Sequence, residues 1–128
     1  MKVLLDTCAF LWIVTGDDAL SSPAQRHFSD PTNEVYLSSV SAWEIAIKHG
    51  LGKLPLPRPP HDLIPDERRR HGILPLPLDE AAALFCAKLP DLHKDPFDRM
   101  LVCQAIVGSM TLLTPDPLVT QYPVATAW

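Results

Sequence analysis

Cysteine is scarce and odd in number. Cys8, Cys86 and Cys103 lie in apolar surroundings and form no C-x-x-C pair, which excludes a disulfide framework and suggests no zinc site. A reducing cytoplasm is the expected compartment. No uninterrupted apolar run approaches the ~18 residues that span a bilayer. The opening M-K-V-L-L-D reaches an acid after only three apolar residues, unlike a standard export signal. Basic charge is also short: 11 Lys and Arg against 15 Asp and Glu leave a net charge of −4, so the chain as a whole repels a polyanion. A nucleic-acid partner would have to be attracted by a metal ion or a local basic patch. None of the histidines, His27, His49, His61, His71 and His93, has a ligand-spaced partner, and the chain holds neither an internal repeat nor a low-complexity tract.

What is present is apolar substance. Of the 128 residues 47% are hydrophobic, enough for one compact domain over residues 1–128 and too short for a second. The 14 prolines fall between periodic segments, as loop and helix-entry residues do. Lys2 to Leu5 reads as a buried strand stopping at Asp6. Phe10, Leu11 and Val14 have helical spacing ending near Gly16, and Ser22 before Pro23 caps a second helix reaching about Asp30. Val35 to Leu37 is a second strand. A helix from about Ser41 closes at Gly50, and L-P-L-P-R-P-P at 54 to 60 is a stiff connection. A polar helix over His61 to His71, a strand over Ile73 to Leu76 and a helix from Asp79 to about Lys88 follow. Asp95 to Gly108 is the strongest helix, with Asp95 as cap and Pro96 at its first position. Thr111 to Leu113 is a fourth strand and Val124 to Thr126 an edge strand. The alternation predicts a three-layer α/β/α fold around a mainly parallel sheet of four to five strands, with its site at the carboxyl ends of the strands.

Asp6 and Asp116 follow the first and fourth strands, and Glu44 and Asp98 fall in the first turns of helices at the same edge. Two unit charges ~4 Å apart repel by roughly 4 kcal/mol at an effective dielectric of 20, so such a cluster needs protons or cations. A hard divalent ion that takes oxygen ligands suits it, and Mg²⁺ held by carboxylates supports phosphodiester hydrolysis. Each acid also has an ordinary explanation. Ser41-x-x-Glu44 is a capping box. Asp95 and Asp98 sit where a helix start favours negative charge, and Asp116 lies in a T-P-D-P turn. Asp6 has no such explanation, and joint placement favours the site.

These residues resemble the PIN-domain nucleases, and among them the VapC-type toxins of bacterial toxin–antitoxin pairs. The matching pieces are L-L-D-T at 4 to 7, S-x-x-S-A-W-E-I-A-I-K at 38 to 48, H-K-D-P-F-D-R-M-L-V-C-Q-A at 93 to 105 and L-L-T-P-D at 112 to 116. They keep the family's order over nearly the whole chain. The resemblance implies that Asp6, Glu44 and Asp98 are the principal acids, Asp116 the more variable fourth and Asp95 an extra acid of the D-P-F-D subgroup, a metal ligand or only a cap. Pro115 stands where many members have a small residue, which puts the geometry of Asp116 in question.

The resemblance further implies a Mg²⁺-dependent endoribonuclease, with Mn²⁺ able to substitute. It would act on single-stranded or looped RNA as a homodimer and be held inactive by an antitoxin protein that itself binds the operator DNA. Thr7 and Ser39 or Ser41 are candidate supports for the carboxylates, as alternatives to plain helix-start hydroxyls. Arg99 is a candidate phosphate contact or a surface ion pair. Arg68-Arg69-Arg70, with Lys48, Lys53 and Arg58, is the one basic density, or a solvated helix face. Phe10, Leu11, Trp12 and Trp43 are compatible with a dimer face or an antitoxin groove, although ordinary core explains most of them. Two other functions compete. A phosphatase using Asp6 as nucleophile would want a second Asp where Cys8 stands, and an inert PIN-like binding module would have lost central acids that are all present here.

Overall fold

The computed structural model describes residues 1–128. Five parallel strands, β1 (Lys2–Leu5), β2 (Glu34–Ser38), β3 (Leu74–Leu76), β4 (Thr111–Leu113) and β5 (Thr126–Ala127), form one sheet in the order β3-β2-β1-β4-β5. Six helices connect them: α1 (Thr7–Thr15), α2 (Ser22–Ser29), α3 (Ser39–Gly50), α4 (Pro60–Arg70), α5 (Glu80–Phe85) and α6 (Pro96–Val107). The predicted three-layer α/β/α fold is the one observed.

The central strands are apolar throughout because both faces are covered. Val3, Leu5, Val35, Leu37 and Leu113 point to one side, where they pack with Phe10 and Ile13 of α1, Ala24 of α2, Ile45 of α3 and Ile64 of α4. Leu4 and Leu112 point to the other, against Leu101, Val102 and Ala105 of α6 and against Val119 and Tyr122. Chain order departs from β1 in both directions, to β2 on one side and to β4 on the other. The crevice at a parallel sheet's carboxyl edge opens at such a switch point. Register carries the pairing one residue past the strand, since the Asp6 N–H donates to the Leu113 carbonyl at 3.0 Å.

Several boundaries differ from expectation for local reasons. The cap of α2 is Ser21, whose hydroxyl accepts from the Ala24 N–H at 3.1 Å, so Ser22 is already helical. Helix α3 begins at Ser39, two residues before the expected Ser41, because Ser38 caps it by accepting from the Val40 N–H at 3.0 Å. The helix after Asp79 tightens into a 3-10 turn over Cys86–Lys88. The edge strand lies at Thr126–Ala127, shifted from Val124 to Thr126, and a 3-10 turn over Val119–Gln121 precedes it.

Candidate active site

Asp6 occupies the N-cap position of α1 with an extended backbone, yet its side chain caps nothing. Instead its Oδ2 accepts from the Thr114 hydroxyl at 2.6 Å. Thr114 directly follows β4, and its Oγ1 also accepts from the Asp116 N–H at 3.1 Å. One buried hydroxyl thus couples the ends of β1 and β4 and sets Asp6 relative to Asp116. Thr114 was not among the predicted residues, although a hydroxyl two positions before the acid in T-P-D was the available signal. Pro115 leaves Asp116 at the cleft, and the Asp116 Oδ1 accepts from the Leu118 N–H at 2.9 Å.

The early start of α3 removes the capping-box reading of Glu44. Both Ser41 and Glu44 lie inside the helix and are buried. Glu44 Oε1 accepts from Thr7 Oγ1 at 2.7 Å. Thr7 Oγ1 also lies 2.9 Å from Ser41 Oγ, and since its single proton goes to the carboxylate, Ser41 is the donor in that contact. Thr7 thus contacts Glu44 directly and Ser41 contacts Thr7, whereas Ser39 is simply the first residue of α3. The second Glu44 oxygen pairs with the Lys48 ammonium one turn later.

Asp95 caps α6, its Oδ1 accepting from the Phe97 N–H at 2.8 Å and from the Asp98 N–H at 3.4 Å. It lines the cleft too, so the cap and the pocket wall are one residue. Asp98, at the third helical position, faces His93 instead of capping. His93 Nε2 is 3.2 Å from Asp98 Oδ2 and 3.0 Å from Asp116 Oδ2. These three ligand-type atoms lie within 4.8 Å of one another. Spacing in the sequence did not reveal His93, because its partners are acids and not histidines.

Asp6, Glu44, Asp95, Asp98 and Asp116 line one cleft of about 270 Å³, with Lys48 as its cation. A larger cleft of about 740 Å³ between α1, α2 and the end of α4 contains none of the predicted acids. Burial pushes the Asp98 carboxyl up to about 7, assisted by the charges of Asp6, Asp95 and Glu44 and opposed by His93. Burial also raises Asp6, against the Thr114 hydrogen bond. Repelling, partly desolvated oxygen donors with a single ammonium among them suit a hard divalent cation, which would relieve the charge without protons. Cys8, on the same wall, is pushed up to about 12 by burial and by Asp6. Such a thiol cannot replace the acid/base carboxyl that the phosphatase alternative requires.

Other predicted contacts lie elsewhere. Arg99 turns away from the cleft and donates to the Pro90 carbonyl at 3.0 Å and to Tyr122 Oη at 3.2 Å, so it anchors a loop and offers no phosphate contact. Arg69 and Arg70 pair with Asp66 and Glu67 on their own helix, and Arg58 pairs with Asp66; the solvated face describes this cluster. Phe10 is core, whereas Trp43 is 61% exposed and meets Phe97 edge-on at 5.2 Å between ring centroids. No helix is long and apolar enough to cross a membrane.

The chain is similar to known proteins in both sequence and fold. A stretch of 52 residues is 52% identical to Ribonuclease VapC16 of Mycobacterium tuberculosis, spanning 41% of this chain and only 37% of that protein. The fold superposes on a structure of VapBC2 from Rickettsia felis bound to a promoter DNA fragment, with a TM-score of 0.75 at 14% identity, covering 99% of this chain and 98% of that one. VapBC-1 from nontypeable Haemophilus influenzae gives a TM-score of 0.65 at 17% identity, covering 99% and 97%. The PIN domain family matches residues 3–123, nearly the whole chain including every acid of the cleft, and the protein belongs to it.

Proposed function

We propose that the protein is a divalent-metal-dependent endoribonuclease, using Mg²⁺ or Mn²⁺, and the toxin of a toxin–antitoxin pair. The observation that carries this reading is the convergence of Asp6, Glu44, Asp98 and Asp116 on one cleft at the carboxyl edge of β1 and β4. Local identity to a protein named as a ribonuclease, and likeness in fold to VapBC toxin–antitoxin structures, support it.

In this proposal Asp6 and Asp98 are the firmest ligands, Glu44 and Asp116 complete the set, and Asp95 supports it. When bound, the ion supplies positive charge beside the phosphate and a more acidic attacking water. The chain's part is to hold the ligands apart and oriented. Thr114 fixes Asp6, Thr7 fixes Glu44, and burial in the cleft limits competing solvent. This also answers the charge problem of a protein with net charge −4, since the ion attracts RNA where the surface repels it. A cognate antitoxin protein is the expected inhibitor, a homodimer the expected assembly and the cytoplasm the expected location. DNA would be met only through the antitoxin.

The test is cleavage of a mixed RNA pool by the purified chain with Mg²⁺ or Mn²⁺, with EDTA, and with Asp6→Asn. Metal-supported cleavage that EDTA and Asp6→Asn both abolish is expected. Cleavage undiminished in either case would refute the mechanism.

A further inference from the structure

Between Asp98 and Asp116 stands a side chain, His93, that the family's acidic set does not account for. The Asp95 N–H donates to His93 Nδ1 at 3.0 Å. A backbone amide has only a proton to offer, so Nδ1 is an acceptor and the ring proton resides on Nε2. That N–H points at Asp116 Oδ2, 3.0 Å away, and at Asp98 Oδ2, 3.2 Å away. We propose that His93 is a positioning residue, a neutral Nε2–H donor that draws the Asp98 and Asp116 carboxylates into one ligand set, and that it is not itself a metal ligand. The proposal rests on the metal-dependent reading above.

Ligation by Nε2 would require the ring proton to move to Nδ1. There it would confront the Asp95 N–H across 3.0 Å, two donors with no acceptor between them. Asp95 cannot readily turn its amide away, because it caps α6 and its Oδ1 is engaged with the Phe97 N–H. The ring is held from behind as well. The buried Tyr122 hydroxyl accepts from the His93 N–H at 2.8 Å and from the Leu92 N–H at 3.2 Å. Arg99 donates to the same oxygen and to the Pro90 carbonyl. Arg99 and Tyr122 thereby fasten the loop that carries His93, which gives Arg99 a part in the site at one remove. The arrangement explains how two repelling carboxylates from different elements face a common point before any cation arrives.

The experiment measures Mn²⁺ affinity of the full chain without RNA, for wild type, His93→Gln, His93→Ala and Tyr122→Phe, alongside pulsed electron paramagnetic resonance of the Mn²⁺ and ¹⁵N NMR of the His93 ring. Outer partners of metal ligands typically contribute ~10–100-fold in affinity. His93→Ala should therefore weaken Mn²⁺ about tenfold or more, His93→Gln, which keeps an N–H donor, should recover most of it, and Tyr122→Phe should fall between. The ring should be protonated at Nε2, and wild type should show no directly coordinated nitrogen. A coordinated-nitrogen signal lost in His93→Ala, a ring protonated at Nδ1, or unchanged Mn²⁺ affinity in a folded His93→Ala protein would each overturn the proposal while leaving the nuclease intact. Failure of wild type to bind Mn²⁺ would instead overturn the metal reading, and the proposal with it. The ring NMR needs no metal and no variant, so it decides the donor assignment even where His93→Ala fails to fold.

Discussion

The two walls of the cleft solve the same problem in opposite ways. On the α3 wall Glu44 is buried with both oxygens engaged, one by Thr7 and one by Lys48. On the α6 wall Asp98 receives only a shared imidazole N–H, and its carboxyl is pushed up to about 7 by burial and neighbouring charge. One wall is compensated by the protein; the other is left for something else to compensate. Buried charge is tolerated only when paired, so the uncompensated wall marks where a cation would do most for the fold as well as for chemistry. The contrast also separates acids that look alike in sequence: Glu44 is held by Thr7 and Lys48, while Asp98 is the acid that a bound cation would relieve most.

The largest effects should come from breaking the uncompensated wall. Asp98→Asn should lower RNA cleavage at saturating Mg²⁺ by at least about a hundredfold, the scale of losing one electrostatic contributor to a transition state. The same substitution should stabilise the metal-free protein. With a folded pKa of about 7 against an unfolded value near 3.8, the folded state binds more protons between those limits. Stability in EDTA therefore falls as pH rises from about 4 to about 7 and stays low above it. At ~1.4 kcal/mol per pKa unit the loss is on the order of 4 kcal/mol. The favourable placement of an acid in the first turn of α6 is worth at most ~2 kcal/mol and does not reverse the sign. Urea unfolding at pH 5 and pH 8, with EDTA and with Mg²⁺, checks it. An Asp98→Asn protein no more stable than wild type at pH 8 in EDTA would erase the distinction between the walls.

The sequence disclosed the fold and the acids to different depths. Strand and helix alternation and the apolar strand runs were enough for the three-layer fold, because Val3 to Leu5 and Thr111 to Leu113 allow no other burial. The acids were legible as types in an order. Their supports were not, since Thr114 and His93 act through contacts 108 and 23 residues away in the chain, and no local period encodes these. Glu44 was legible from its place at the sheet edge, with a capping box as the competing explanation; Ser38 caps α3 one turn earlier, which removes that explanation and leaves Glu44 free to face Thr7. Arg99 stands next to Asp98 in sequence and yet points behind the helix, because consecutive helical residues diverge by about 100°.

A middle-sized effect should follow from Thr114→Val, which keeps shape and removes the hydroxyl. Asp6 then loses its 2.6 Å donor and the Asp116 N–H its acceptor. Loss of hydrogen bonds to a buried charged group amounts to about 1–3 kcal/mol, so the variant should unfold at lower urea. It should also need more Mg²⁺ for half-maximal cleavage, since Asp6 and Asp116 are no longer set relative to one another. A variant with wild-type Mg²⁺ dependence would show that the two strand ends are aligned without Thr114.

The smallest effect should come from Lys48→Met, on the compensated wall. Its ammonium is held in the charged form chiefly by the hydrogen bond to Glu44, against some desolvation. The side chain is nevertheless 44% exposed, so solvent screens the pair and the net loss should be under about 1 kcal/mol. Two consequences act in the same direction at the metal. Glu44 loses a competitor and is freer to ligate, and the cleft loses its one resident cation and becomes more negative. At low ionic strength the second should make Mg²⁺ bind more tightly in concert with the first, because added negative charge attracts a dication; at high salt both shrink. Lys48→Met should therefore shift the Mg²⁺ midpoint downward by a few-fold at low salt while barely moving the urea midpoint. A large destabilisation in EDTA would mean that Glu44, like Asp98, depends on an outside charge, and the two walls would then be alike.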